Sequence, residues 1–173
     1  MKIKHLLLPG ITLILAAAFI GTAIARDLTS DQKSVVCRLR NEVQQRRGNG
    51  YKLVFWPLIG KVRKQAESPF RATLYPGTEY IFVGACDENC QGLNLALKDV
   101  NGQVVAASEK TEALPVLAFT PSVEGEYQVA AKPGECTTPN GCSFGMGIFA
   151  PVAANIPNAS RLPEELAQFQ FCQ

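Results

Sequence analysis

The chain carries two hydrophobic periods, and the change from one to the other divides it. Between residues 30 and 47, Val35, Val36, Leu39 and Val43 recur at helical spacing, with Arg38, Arg40, Arg46 and Arg47 elsewhere around the axis. That period predicts one amphipathic helix, roughly Ser30 to Arg47. Thr29 supplies a hydroxyl cap, Gln32 stands where it closes a capping box, and Asp31 suits the positive end of the helix dipole. Gly48-Asn49-Gly50 ends the helix. Its apolar stripe is narrow, which favours burial against a domain over membrane contact.

From Phe70 onward the period falls to two, and turn signals recur at short intervals. The runs FRATLY, EYIFVGAC, LNLALKD, QVVAAS, LPVLAFT, EYQVAAK and CSFGMGIF predict seven strands, punctuated by Pro76-Gly77, Asn101-Gly102 and Glu124-Gly125. Leu93, Leu95 and Leu97 share one side, and a hairpin through Asp99-Val100-Asn101-Gly102 brings Val104 and Ala106 to it. Tyr127, Val129 and Ala131 line one side of their strand, while Phe144, Met146 and Ile148 alternate with Ser143, Gly145 and Gly147. One apolar face per strand predicts two sheets packed face to face.

The segment between these regions, YKLVFWPLI at Tyr51 to Ile59, is the most apolar stretch after residue 25. Pro57 argues against a central strand there, and the segment is expected to cover a sheet edge. Residues 151–160 read as a loop that contains the sequon Asn158-Ala159-Ser160, and Pro163-Glu164-Glu165 opens a short helix running to about Phe171. The expected division is residues 1–25, a basic helical and apolar segment at 26–69, a β-sandwich at 70–150, and a loop with a short packed helix at 151–173.

Residues 1–25, MKIKHLLLPGITLILAAAFIGTAIA, have Lys2 and Lys4 before an apolar core and close on Ala23-Ile24-Ala25. This pattern predicts a cleaved signal peptide and a mature chain beginning at Arg26, exported to the bacterial periplasm or beyond and not transmembrane after cleavage. Cleavage removes two of the 17 basic residues and leaves 15 against 15 acids. Zero net charge gives no case for nucleic-acid binding. The distribution is uneven: Arg26 to Arg71 holds 11 basic and 4 acidic residues, whereas Ala72 to Gln173 holds 4 basic and 11 acidic. A solvated helix complementary to its own domain accounts for this. The alternative is contact of Arg38, Arg40, Arg46 and Arg47 with an anionic surface such as lipid head groups.

The single histidine is His5, so the expected mature chain has none. That excludes Ser-His-Asp and Cys-His nucleophiles and every His-ligated metal site. Paired carboxylates need no histidine, but Glu109, Glu112, Glu124, Glu126, Glu164 and Glu165 lie in polar contexts that do not raise a carboxyl pKa. The reading is therefore non-enzymatic.

The six cysteines, Cys37, Cys86, Cys90, Cys136, Cys142 and Cys172, form an even set in an exported chain and predict three disulfides out of fifteen pairings. Cys86 with Cys90 and Cys136 with Cys142 each bracket a short loop, which leaves Cys37 with Cys172 to tie the two ends together. A redox role for Cys86 and Cys90 needs a lowered thiol pKa, and Asp87 and Glu88 between them act the other way. A four-cysteine zinc site is the other alternative, though export favours oxidation.

The residues PGTEYIFVGAC, LNLALKDVNGQVVAAS, LAFTPSVEGEYQVAA and GMGIF, in that order and spacing over about residues 74–149, resemble the bacterial pre-peptidase C-terminal domain. Gly125-Glu126-Tyr127-Gln128-Val129 is the most characteristic unit. The resemblance implies a jelly-roll-like β-sandwich that accompanies secreted enzymes, with proposed roles in secretion or polysaccharide binding. Some related domains bind calcium beside an Asp-Leu-Asp-Leu strand. Here that strand reads Gly92-Leu93-Asn94-Leu95, so both acids are absent and no cofactor is expected. Asp87, Asn94 and Asp99 are the remaining calcium candidates, among oxygens also offered by Glu88, Asn89, Asn101 and Glu112. The expectation is an exported binding or accessory module for an envelope component, a polysaccharide or a partner protein.

Overall fold

A computed structural model describes residues 28–63, 66–108, 110–157, 159 and 172. The expected signal peptide at residues 1–25, the helix expected after Pro163, the sequon residues Asn158 and Ser160, and Glu109, Glu164 and Glu165 lie outside the described residues.

Helix α1 spans Ser30–Gly48. The Thr29 side chain accepts the Gln32 N–H at 3.3 Å, and Gln32 Oε1 accepts the Thr29 N–H at 3.0 Å. This reciprocal box satisfies two donors that a helix start otherwise leaves unpaired. At the other end Asn49 caps the helix and Gly50 adopts φ +83°, a left-handed conformation that costs glycine nothing.

Eight strands follow: β1 Tyr51–Val62, β2 Ser68–Leu74, β3 Tyr80–Cys86, β4 Leu93–Lys98, β5 Val104–Ala107, β6 Val116–Phe119, β7 Gly125–Pro133 and β8 Cys142–Pro151. They form two antiparallel four-stranded sheets, ordered β1-β8-β3-β6 and β2-β7-β4-β5. Apart from the β4–β5 hairpin, which stays in one sheet, successive strands alternate between the sheets, as in a double-sheet jelly roll.

The expected seven strands become eight because β1 runs through Trp56-Pro57. Proline lacks the N–H a central strand must donate, yet β1 is an outermost strand whose pairing with β8 shifts register between Leu53 and Phe55 and again between Phe55 and Leu58. An edge with irregular pairing is where a strand tolerates proline.

The core lies between the sheets. Leu93, Leu95 and Leu97 of β4, Tyr127, Val129 and Ala131 of β7, and Phe144, Met146 and Ile148 of β8 meet there with Tyr80 and Phe82 of β3. Val104 does not join them. A bulge between Leu97 and Lys98 sets Ala106 opposite Leu97 but Val104 opposite Lys98, so Ala106 packs on the core and Val104 stays exposed.

The outer face of the β1-β8-β3-β6 sheet is covered by α1. Val35 and Leu39 pack with Ala85 and Ile59, while Val43 packs with Leu53, Ile81, Val83 and Phe149. A Cβ on Gly145 would stand 2.7 Å from both Leu39 and Val35, so this glycine is what lets the helix approach. The helix burial explains why β3 is buried along its whole length rather than alternately.

Candidate functional site

Two regions hold the chain's chemistry: the cysteine-rich end of the sandwich and the open margin beside β5 and β6. At the first, the structure joins Cys86 to Cys90, Cys136 to Cys142 and Cys37 to Cys172, with Cα separations of 5.9, 5.5 and 5.2 Å. All three fall in the bridging range. The two local bridges are adjacent. Cys90 and Cys136 face each other in an antiparallel bridge, and Cys142 Sγ lies 3.5 Å from the Asn89 carbonyl.

Asp87 organises the loop between Cys86 and Cys90. Its carboxylate is 2% exposed and accepts the Ser143 N–H at 2.7 Å and the Asn89 N–H at 3.0 Å. Those bonds commit the carboxylate to the protein's own backbone. Asn94 is engaged elsewhere, donating to Thr111 Oγ1 at 2.7 Å. Asp99 accepts the Asn101 and Gln103 N–H groups at 2.9 and 2.8 Å and so shapes the β4–β5 turn. Asn94 lies near the start of β4 and Asp99 just past its end, about 17 Å apart along an extended chain. The three calcium candidates therefore do not converge on one point. Among the described residues no group of three or more Cys, Asp or Glu side chains is arranged to hold a metal.

Glu112 and Glu124 are exposed, and exposed Glu126 pairs with Arg71 at 3.1 Å. They are solvated charges on the surface rather than a carboxylate pair in an apolar cleft.

The helix arginines divide. Counting about 100° per residue, Arg40 and Arg47 flank the buried stripe on one side and Arg38 on the other, while Arg46 lies in line with the stripe one turn beyond its last valine. Arg40 donates to the Cys172 carbonyl at 2.6 Å, and Arg46 pairs with Glu42 at 3.4 Å. Arg47 is exposed and Arg38 half-buried.

The open margin was not singled out by the sequence. Among the described residues β5 pairs only with β4 and β6 only with β3, so each leaves one edge unpaired there. Between them runs a groove of about 370 Å³ lined by Ala107, Ser108, Lys110, Glu112, Pro115 and Val116. Val116 in its lining is 43% exposed, and Val104 and Val105 on β5 and Val100 in the turn before it are 58, 40 and 81% exposed. The signal that could have found this margin is the uncharged QVVAAS run after a tight turn, since edge strands ordinarily carry charge or proline to block pairing. Every described aromatic side chain packs on one of the core clusters, and none of the described residues lining the groove is aromatic.

No protein-family model matches the chain, and no curated protein matches it. Among solved structures, the Penaeus vannamei nodavirus P-domain is 13% identical, with 55% of this chain and 96% of that chain covered at a TM-score of 0.32. The Macrobrachium rosenbergii nodavirus P-domain is 13% identical over 61% of this chain and 93% of that chain, at a TM-score of 0.29. Similarity at this level carries no argument about what this chain does.

Proposed function

We propose that the chain is an exported, non-catalytic binding module that takes an extended segment of a partner protein along its β5–β6 margin. The carrying observation is the uncharged β5 strand, unpaired on its outer side and bordered by exposed valines and the groove. Unpaired backbone N–H and C=O groups supply affinity for an added strand, and the flanking apolar surface supplies selectivity for alternating side chains. Lys110 and Glu112 at the groove limit which charges the segment carries. A protein partner is favoured over a polysaccharide because the margin offers unpaired strand backbone, and no aromatic residue is among the described residues lining the groove. Export is supported by the amino-terminal pattern and the even cysteine set. An accessory role beside a secreted enzyme, as the pre-peptidase C-terminal resemblance implies, suits such a module.

Contact of the helix with anionic lipid is the weaker alternative, because Arg40 and Arg46 are already engaged and the four arginines do not share a face. Selection of displayed peptides on the immobilised mature chain separates the two. The proposal expects apolar-alternating peptides whose binding is lost in Val104→Lys and Val116→Lys and kept when Arg38, Arg40, Arg46 and Arg47 are changed to Glu. Binding that survives the valine changes, or no enrichment at all, overturns it.

A further inference from the structure

The four cysteines at the end of the sandwich differ in exposure in a way their pairing does not use. Cys86 and Cys142 are 0% exposed, Cys90 is 9% exposed and Cys136 is half-buried. Each local disulfide thus joins one fully buried cysteine to a less buried, outer one, Cys90 at the margin of the core or Cys136. The two outer cysteines already stand opposite each other. Gln91 N–H donates to the Glu135 carbonyl and Thr137 N–H to the Asn89 carbonyl, both at 2.8 Å, which makes Cys90 and Cys136 a non-hydrogen-bonded antiparallel pair. Such pairs hold their Cα atoms about 4.5 Å apart with side chains close, inside the range a disulfide spans.

We infer that the two local disulfides form a redox-sensitive device, in which a dithiol converts them to a single Cys90–Cys136 bridge. A dithiol thiolate attacks the Sγ of Cys136, the most exposed of the four cysteines, and the Cys136–Cys142 bond breaks with Cys142 leaving as a thiolate. The second thiol of the reductant attacks the sulfur of the mixed disulfide, releases Cys136 as a thiolate and departs as a cyclic disulfide. The Cys136 thiolate then attacks Cys90 Sγ, forming the Cys90–Cys136 bond and expelling Cys86 as a thiolate. Solvent protonates Cys86 and Cys142. Two electrons pass from one dithiol to the protein, and two protein disulfides become one.

The product suits its surroundings. Cys86 and Cys142 become buried thiols, which behave as small apolar side chains and stay protonated in an apolar setting. The outer bridge replaces two loop closures by a link between the segment before β4 and the segment after β7.

This end of the sandwich also supports the groove. Cys86 N–H donates to the Ala113 carbonyl at 3.3 Å, Gly84 N–H to Pro115 at 2.9 Å and Leu93 N–H to Glu112 at 2.7 Å. Opening the Cys86–Cys90 loop would loosen the groove's wall. That consequence rests on the groove reading; the exchange does not, and its test reads the sulfurs alone.

Trypsin places Cys86 and Cys90 together in the peptide 72–98, and Cys136 with Cys142 in the peptide 111–161, because Pro133 blocks cleavage after Lys132. The native pairing therefore leaves the two peptides separate. The mature protein is titrated with dithiothreitol, quenched in acid, alkylated under denaturing conditions and digested without further reduction. Exchange is expected to yield the two peptides cross-linked, with alkylated Cys86 and Cys142. Thiols that appear only as Cys136 with Cys142, or Cys86 with Cys90, at every step of the titration overturn it. The double variant Cys86→Ala, Cys142→Ala gives an independent arm: oxidised as purified, it is expected to carry the same cross-link. Two free thiols in that variant, with the sandwich folded, also overturn it.

Discussion

Asp87 and Ser143 hold the ends of β3 and β8 together by two hydrogen bonds, one from the Asp87 N–H to the Ser143 carbonyl at 3.0 Å and one from the Ser143 N–H to the Asp87 carboxylate at 2.7 Å. The carboxylate replaces the backbone acceptor that a regular ladder would supply beyond Cys86. Asp87→Ala leaves the Ser143 and Asn89 N–H groups without that acceptor. A loss of about 1–3 kcal/mol is expected for each buried donor left unpaired, read as a lower urea midpoint at an unchanged slope. An unaltered midpoint would show that water or a neighbouring carbonyl takes the bonds over.

Gly145 sets the distance between α1 and the sheet. Gly145→Ala places a methyl group against Val35, Leu39 and Ile59, and overpacking of that kind costs about 1–3 kcal/mol. The expected result is a lower Tm with the jelly roll retained. At Gly147 a Cβ would meet Leu53 and Phe149 side chains at 3.1 and 3.2 Å, so Gly147→Ala is expected to cost less.

Cys37 on α1 bridges to Cys172 across a sequence separation of 135 residues. In the chain-entropy model a closure this long is worth about 5 kcal/mol, against about 2 for each short loop. Replacing Cys37 and Cys172 together by Ser is therefore expected to lower stability more than replacing either local pair, measured by urea unfolding without reductant.

Tyr80 is fully buried, and its hydroxyl oxygen accepts the Tyr75 N–H at 3.1 Å. Burial raises its pKa above the ordinary 10.0, only partly offset by that bond. Above pH 10 the unfolded chain ionises this phenol while the folded chain keeps it neutral, so the unfolded state binds fewer protons and stability falls as pH rises. Tyr80→Phe is expected to flatten that alkaline decline. It also leaves the Tyr75 N–H unpaired, at about 1–3 kcal/mol below pH 10. An alkaline slope identical to the parent's would contradict the assignment to Tyr80.

Most of this architecture was legible because it rests on local period. Leu93, Leu95 and Leu97, or Val35, Val36, Leu39 and Val43, each mark one buried face without knowledge of any partner. What escaped depends on pairing. β1 passes through Pro57 because its edge position and irregular register with β8 tolerate a missing donor, and neither property is visible in a single segment. Val104 turns outward because a bulge, set by the β4–β5 hairpin, shifts its side by one residue. Gly145 reads as a gap in an apolar pattern until α1 is laid over it. The site behaves likewise: the two strand edges that frame the groove are separated by a polar loop in sequence and become neighbours only through the order of the two sheets.

The central claim is that a partner engages β5 and β6. The most direct measurement is an amide-resolved NMR titration of the ¹⁵N-labelled chain from Arg26 onward with an extended peptide selected on it. The account expects shifts concentrated at 103–108 and 115–119, with the β5 edge amides newly protected from exchange. Shifts confined to α1 around Arg38 and Arg47, or to the outer face of the β2-β7-β4-β5 sheet around Arg71 and Gln128, would contradict it.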